Sequence, residues 1–138
     1  MAKIRVLAVM TIDGFLPPEN DKMLQWVRTD RHGFPKWNGK GVSVILPGIP
    51  FVDLMCNVDS SADSDIYLAE IHDIESAEFL RGLSLYHLID EVVIYLFPYI
   101  SGVGFSIASR LPSGIWNLCH SKTFKNGICR LTYCKSLQ

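Results

Sequence analysis

The sequence predicts an α/β fold with buried strands, and three observations carry that prediction. Residues 92–97 are β-branched and aromatic, with acidic residues before them and a proline after them, as in a buried strand. Residues 66–71 form another apolar strand, and residues 74–85 then repeat apolar side chains with a helical period. Asn126-Gly127 lies between two strand-like segments and is a strong signal for a hairpin.

The bulk composition indicates one folded domain spanning residues 1–138. About half of the residues are apolar and 20% are charged, which excludes a disordered chain. The longest apolar stretch, residues 92–100, is much shorter than the roughly 20 residues of a membrane-spanning helix. No cleavage site follows the apolar N-terminus, so we expect a cytoplasmic protein without a signal peptide.

Charge, cysteine content and histidine positions indicate which partners and metal sites the chain lacks. A net charge of −1, with acids and bases dispersed along the chain, argues against nucleic-acid and membrane binding. The four cysteines have no Cys-x-x-Cys spacing, so we expect reduced thiols. The histidines are scattered, and Cys119 and His120 would point to opposite faces of a strand, so no metal site is predicted.

The N-terminal half begins with a strand at residues 3–10 that ends in the turn Thr11-Ile12-Asp13-Gly14. Asp21 is a plausible N-cap for a short helix that contains Trp26. A second strand is expected at residues 41–46.

The middle of the chain is expected to be less regular. Residues 51–55 are interpreted as a short strand or turn, and residues 57–64 as a polar loop. In the helix at residues 74–85, Gly82 indicates an end or a kink.

The hairpin has a predictable register. If Asn126 and Gly127 are the two central residues of a type I′ turn, Phe124 pairs with Cys129, and Cys119 lies opposite Cys134. A β-bulge would shift these pairs by one residue.

Two carboxylates are candidates for chemistry. Asp13 follows the first strand at the end where open α/β sheets place ligand crevices, although Asp-Gly is also a common turn pair. Glu70 lies at the end of an apolar strand just before a helix, so it is either exposed at an edge or part of a site. Gly102-Val103-Gly104 lacks a third glycine and is interpreted as a turn, and the tryptophans as core residues that could stack on a planar ligand.

Three segments together resemble the C-terminal reductase family of riboflavin biosynthesis, within the dihydrofolate reductase-like superfamily. They are residues 7–16 with Trp26 beyond them, residues 88–91 with the strand and glycines up to residue 105, and residues 124–128 with Tyr133. This resemblance implies a three-layer fold: a mixed, mostly parallel sheet, helices on both faces and an antiparallel C-terminal hairpin. It also implies a homodimer.

The same resemblance implies a function and its residues. Members bind NADPH and transfer hydride to a pteridine-like or ribosylamino-pyrimidine substrate, with the cofactor supplying the hydride chemistry. Carried over to this chain, Asp13 and Glu70 would be the catalytic carboxylates. The cofactor-binding positions would be Ala8, Thr11, Gly14 and Trp26.

This chain departs from the family at the phosphate-binding positions. Residues 69–73 read Ala-Glu-Ile-His-Asp where members carry a Gly-Gly pair, and residues 46–50 supply no cation for the 2′-phosphate. Two hypotheses follow. The chain is an NADPH-dependent reductase, or it is a non-catalytic, dimeric relative that has lost NADPH binding and binds another small ligand or a protein partner.

Overall fold

A computed structural model describes residues 1–136 and contains a six-stranded sheet. The strands are β1 (Lys3–Thr11), β2 (Val42–Val44), β3 (Ile66–Ile71), β4 (Glu91–Phe97), β5 (Trp116–Thr123) and β6 (Cys129–Lys135). Their order across the sheet is β2-β3-β1-β4-β6-β5. The first four strands pair in parallel, whereas β6 is antiparallel to both β4 and β5. The predicted mixed sheet with a C-terminal hairpin is therefore confirmed.

Helices cover both faces of this sheet. They are α1 (Lys22–Thr29), α2 (Phe51–Ser60) and α3 (Ile74–Leu85). Leu24 and Val27 of α1 pack with Leu7 and Val9 of β1, and we call this side of the sheet the α1 face. Helices α2 and α3 pack on the opposite side, which we call the α3 face. Alternation along β1 explains the division, because successive side chains of a strand point to opposite faces.

Helix α2 corrects the prediction of a short strand or turn followed by a polar loop. Residues 51–60 are helical because Leu54 and Val58, four positions apart, both bury their side chains on the α3 face. Asp53, Asn57, Asp59 and Ser60 lie on its outer surface, and the last three made the second half of the helix resemble a loop.

Helix α3 runs through Gly82 to Leu85, so this glycine does not end it. The glycine instead admits a neighbouring ring, since a Cβ there would lie 2.3 Å from Cζ of Phe51. The helix starts at a capping box in which Asp73 and Ser76 each accept a hydrogen bond from the other's backbone amide.

The hairpin register differs by one residue from the direct prediction, as the bulge alternative allowed. Thr123 pairs with Cys129, because the turn contains three residues and closes through a hydrogen bond from the Gly127 amide to the Phe124 carbonyl. Gly127 alone has a positive φ there, at 92°, so the turn is not type I′. A bulge at Cys119 then places Asn117, rather than Cys119, opposite Cys134.

Candidate functional site at the carboxyl ends of the strands

The turn after β1 is held by its own side chains. The Thr11 hydroxyl donates a 2.6 Å hydrogen bond to Asp13 Oδ1 and accepts one from the Phe15 amide at 3.0 Å. The Gly14 amide donates to the Thr11 carbonyl at 2.9 Å. Thr11 is fully buried, so this threonine fixes the position of the Asp13 carboxylate.

The Asp13 carboxylate also binds the loop after β4. It accepts hydrogen bonds from the amides of Ser101, at 3.0 Å, and Gly102, at 2.7 Å. The hydrogen bond from Thr11, supported by those from Gly102 and Ser101, holds the pKa of Asp13 below its ordinary value. Asp13 therefore stays ionised at neutral pH, which suits an acceptor better than a proton donor.

Gly14 serves packing as well as the turn. Its φ of +86° favours glycine, and a Cβ there would lie 2.6 Å from the Cβ of Ala108. The Gly14 carbonyl accepts hydrogen bonds from the amides of Ile107 and Ala108. This position is therefore accounted for by the contact with the short 3₁₀ helix Ala108–Arg110.

Glu70 and Asp13 both lie toward the carboxyl ends of parallel strands, but the register separates them. Glu70 pairs with Leu7, four residues before Thr11, which is about 13 Å along the strand. The side chain is half-buried on the α1 face, and no hydrogen bond or ion pair joins it to another residue between 1 and 136. The structure does not bring the two carboxylates into contact.

Ala8 and Trp26 are placed by packing. Ala8 is fully buried and forms the last pair between β1 and β3, with Ile71. The Trp26 ring packs edge-on against Phe124 of the hairpin, with 5.1 Å between centroids. Of the predicted cofactor-binding residues, Thr11 and Gly14 share one turn with Asp13, whereas Trp26 contacts the hairpin.

A contact between Tyr99 and Asp21 was not expected from the sequence. The Tyr99 hydroxyl donates to a carboxylate oxygen of Asp21, whose other oxygen caps α1 by accepting from the Met23 amide. Burial, together with the Asp21 carboxylate, raises the pKa of Tyr99 well above its ordinary value. The sequence features that could have indicated this contact are an acidic residue at an N-cap and a tyrosine just after a strand.

A crevice of about 460 Å³ lies between the loop that follows the β1 turn and the start of α3. Its lining residues are Leu16, Pro17, Pro18, Glu19, Asp73, Ile74 and Glu75. The Asp73 carboxylate accepts from the Ser76 amide at 2.8 Å and from the Ser76 hydroxyl at 2.7 Å. Burial acts to raise the pKa of Asp73, but the hydrogen bonds from Ser76 outweigh it and the pKa is lowered. The first turn of α3 is therefore already hydrogen-bonded to a carboxylate of the chain, that of Asp73.

Solved structures share this architecture. The structure of a "putative riboflavin biosynthesis protein" from Shewanella sp. PV-4 matches 98% of this chain and 99% of its own, at 16% identity and a TM-score of 0.57. The mixed sheet, the helices on both faces and the antiparallel hairpin of this chain are the features that the sequence resemblance implied. The chain has the dihydrofolate reductase-like fold.

Other comparisons add little to this. A "pyrimidine reductase-like protein" from Corynebacterium diphtheriae matches 96% of the chain and 91% of its own at 10% identity, with a TM-score of 0.46, below the level at which a shared fold follows. No protein-family model matches the sequence. No curated protein matches it either.

The residues of this chain do not fit NADPH at the start of α3. A pyrophosphate binds a helix N-terminus through free amides and bare backbone. Here the Ser76 amide is already bound by Asp73, and Glu19 and Glu75 add negative charge to the same crevice. These negative charges oppose the binding of a phosphate in the crevice.

Residues 1–136 contain neither a metal-binding cluster nor a membrane-spanning helix. In that range, no three His, Cys, Asp or Glu side chains form a group that could hold a metal ion. The helices described there are all too short or too polar to cross a membrane.

Proposed function

We propose that this chain is a non-catalytic protein of the dihydrofolate reductase-like fold that does not bind NADPH and binds another small ligand. One observation carries the proposal: Asp73 caps α3 inside the crevice where the resemblance would place the pyrophosphate. A phosphate there would have to displace a carboxylate that makes two hydrogen bonds of its own.

The state of Asp13 supports the same proposal. A carboxylate with three hydrogen-bond donors has little capacity left to bind a substrate. Its lowered pKa disfavours the protonated form that a proton donor needs. Asp13 then acts as a structural acceptor that joins the β1 turn to the loop after β4.

The second candidate is an NADPH-dependent reductase acting on a pteridine-like or ribosylamino-pyrimidine substrate. It is favoured by the turn of Thr11, Asp13 and Gly14, which lies at the carboxyl end of the central strand β1 as the resemblance requires. In that case the cofactor supplies the hydride, and the protein orients its reactants.

Titration of the protein with NADPH separates the two candidates. We expect neither enhanced nicotinamide fluorescence nor a rise in melting temperature up to 1 mM NADPH, because a ligand stabilises only the state that it binds. A matched variant, Asp73→Ser, keeps an N-cap side chain but removes the charge, and Glu75→Gln removes a second charge. Saturable binding of NADPH to the unaltered chain at micromolar concentrations would contradict the proposal and favour the reductase.

A further inference from the structure

Arg130 is a buried cation without an acidic partner in residues 1–136. It lies on β6, its relative exposure is 3%, and its side chain is on the α1 face opposite Tyr95 and Lys122 of the neighbouring strands. Nη1 donates to the His32 carbonyl at 3.3 Å, while Nε is buried and lacks a hydrogen-bond partner among the described residues. Buried charges are normally paired, and this guanidinium lacks such a partner among the described residues.

Two lysines lie beside this guanidinium. Arg130 lies over the rings of both Trp37, at 5.7 Å, and Phe124, at 5.4 Å. Lys36 Nζ lies 4.7 Å from the centre of the Trp37 ring, and Lys122 Nζ lies 5.5 Å from that of Phe124. The aromatic rings compensate the charge of Arg130 only in part, because cation–π attraction is weaker than the hydration that a buried charge loses.

The charges around Arg130 are not neutralised by acids of residues 1–136. Arg5 lies nearby, but its Nε is 2.6 Å from the Glu91 carboxylate, which pairs with it. Lys36, Lys122 and Arg130 form no ion pair with any described acid. Burial, followed by repulsion from Arg130, Arg5 and Lys122, lowers the pKa of Lys36, which agrees with an excess of positive charge.

Thr132 adds a second unsatisfied group. It lies two residues after Arg130 and therefore on the same face of β6. Its Oγ1 is buried and has no hydrogen-bond partner within the described part of the chain. Adjacent unpaired donors of this kind are rare in folded proteins and call for an explanation.

We propose that Arg130, Lys36, Lys122 and Thr132 form a binding site for the phosphate group of a small ligand. A phosphate dianion would neutralise most of the excess charge, accept from the guanidinium and accept from the Thr132 hydroxyl. Lys36 and Lys122 are exposed and provide the approach from solvent. The site lies over β4, β6 and β5, apart from the crevice at α3, and it does not depend on whether NADPH binds there.

The test is thermal unfolding in chloride buffer at constant ionic strength with added phosphate. We expect inorganic phosphate to raise the melting temperature saturably below 10 mM and acetate to have no such effect. Glycerol 3-phosphate tests the source: tighter binding than inorganic phosphate indicates a phosphorylated metabolite, and equal binding indicates free phosphate, each in support of the site. No saturable response to either phosphate, or an equal response to acetate, would overturn the proposal.

Amino-acid substitutions test whether phosphate binds at the proposed site. The double variant Lys36→Gln/Lys122→Gln changes exposed residues and should weaken phosphate binding at least tenfold. Arg81→Gln removes one exposed charge from α3, on the other face of the sheet, and should bind phosphate as before. Arg130→Met should fold at least as stably without phosphate and lose the response. An unchanged phosphate affinity in the double variant would place the ion elsewhere.

Discussion

The amide of Gly102 donates a 2.7 Å hydrogen bond to the carboxylate of Asp13, although 89 residues separate the two in the chain. This bond joins the turn after β1 to the loop after β4. Replacing Asp13 by Asn leaves one acceptor oxygen for three donors, so we expect the Asp13→Asn variant to unfold at a lower temperature than the unaltered chain at pH 7.

The same residue gives stability a dependence on pH. The pKa of Asp13 in the folded chain is lowered from the ordinary value of 3.8, so its contribution is complete above about that pH and is lost as the pH falls through the folded-state value. We expect the difference in melting temperature between the unaltered chain and Asp13→Asn to shrink as the pH falls from 5 toward 2. A difference that stays constant over that range would show that the carboxylate charge is not involved.

The hydroxyl of Tyr99 should contribute to the stability of α1. Tyr99→Phe removes its hydrogen bond to Asp21, and we expect a loss of about 1 kcal/mol in the free energy of unfolding, measured by urea denaturation. Since the pKa of Tyr99 is raised above its ordinary value of 10.0, this contribution is complete below pH 10 and falls as the pH rises above it. Tyr67→Phe is the matched control, because it removes a tyrosine hydroxyl bonded to Ser61 instead. Equal losses in both variants at every pH would argue against a special role for the Asp21 contact.

Gly82 and Phe51 should show energetic coupling. In α3 an alanine would gain about 1 kcal/mol of helix propensity over glycine, but its Cβ would lie 2.3 Å from the Phe51 ring. That ring is stacked on Phe79, 5.4 Å away, and cannot move freely. We expect Gly82→Ala to destabilise the chain by about 1–2 kcal/mol and to become stabilising in a Phe51→Ala background. Additive effects in this double-mutant cycle, measured by chemical denaturation, would contradict the packing explanation.

Cys119 should control the titration of Cys134. The interaction with the Cys119 side chain, helped by burial, raises the pKa of Cys134 to about 11. In Cys119→Ala we expect that pKa to move toward its ordinary value of 9.0, so alkylation of Cys134 should begin at lower pH. Peptide mass spectrometry of the alkylated protein between pH 7 and 11 measures this. Cys56→Ala, at an exposed position of α2, is the control and should leave the Cys134 profile unchanged.

Sequence signals predicted an element correctly where side chains within a few residues determine the backbone conformation. The strand at residues 66–71 and the helix start at Asp21 agree with the sequence prediction because short apolar runs and N-cap side chains act within a few residues. Helix α2 was not predicted, because the polar residues of its second half are typical of a loop. The helix forms because Leu54 and Val58 pack against the sheet. Its stability comes from that packing rather than from its own composition.

In the candidate site, too, local sequence signals explain some features and tertiary packing explains the others. The sequence by itself determined the turn of Thr11, Asp13 and Gly14, since short-range hydrogen bonds and a positive φ specify it. Only the tertiary structure decided that Asp13 is bound by a distant loop, that Glu70 is not beside it, and that Arg130 is buried among cations. Strand register and burial depend on pairing between segments far apart in the chain, and no local pattern encodes those pairings.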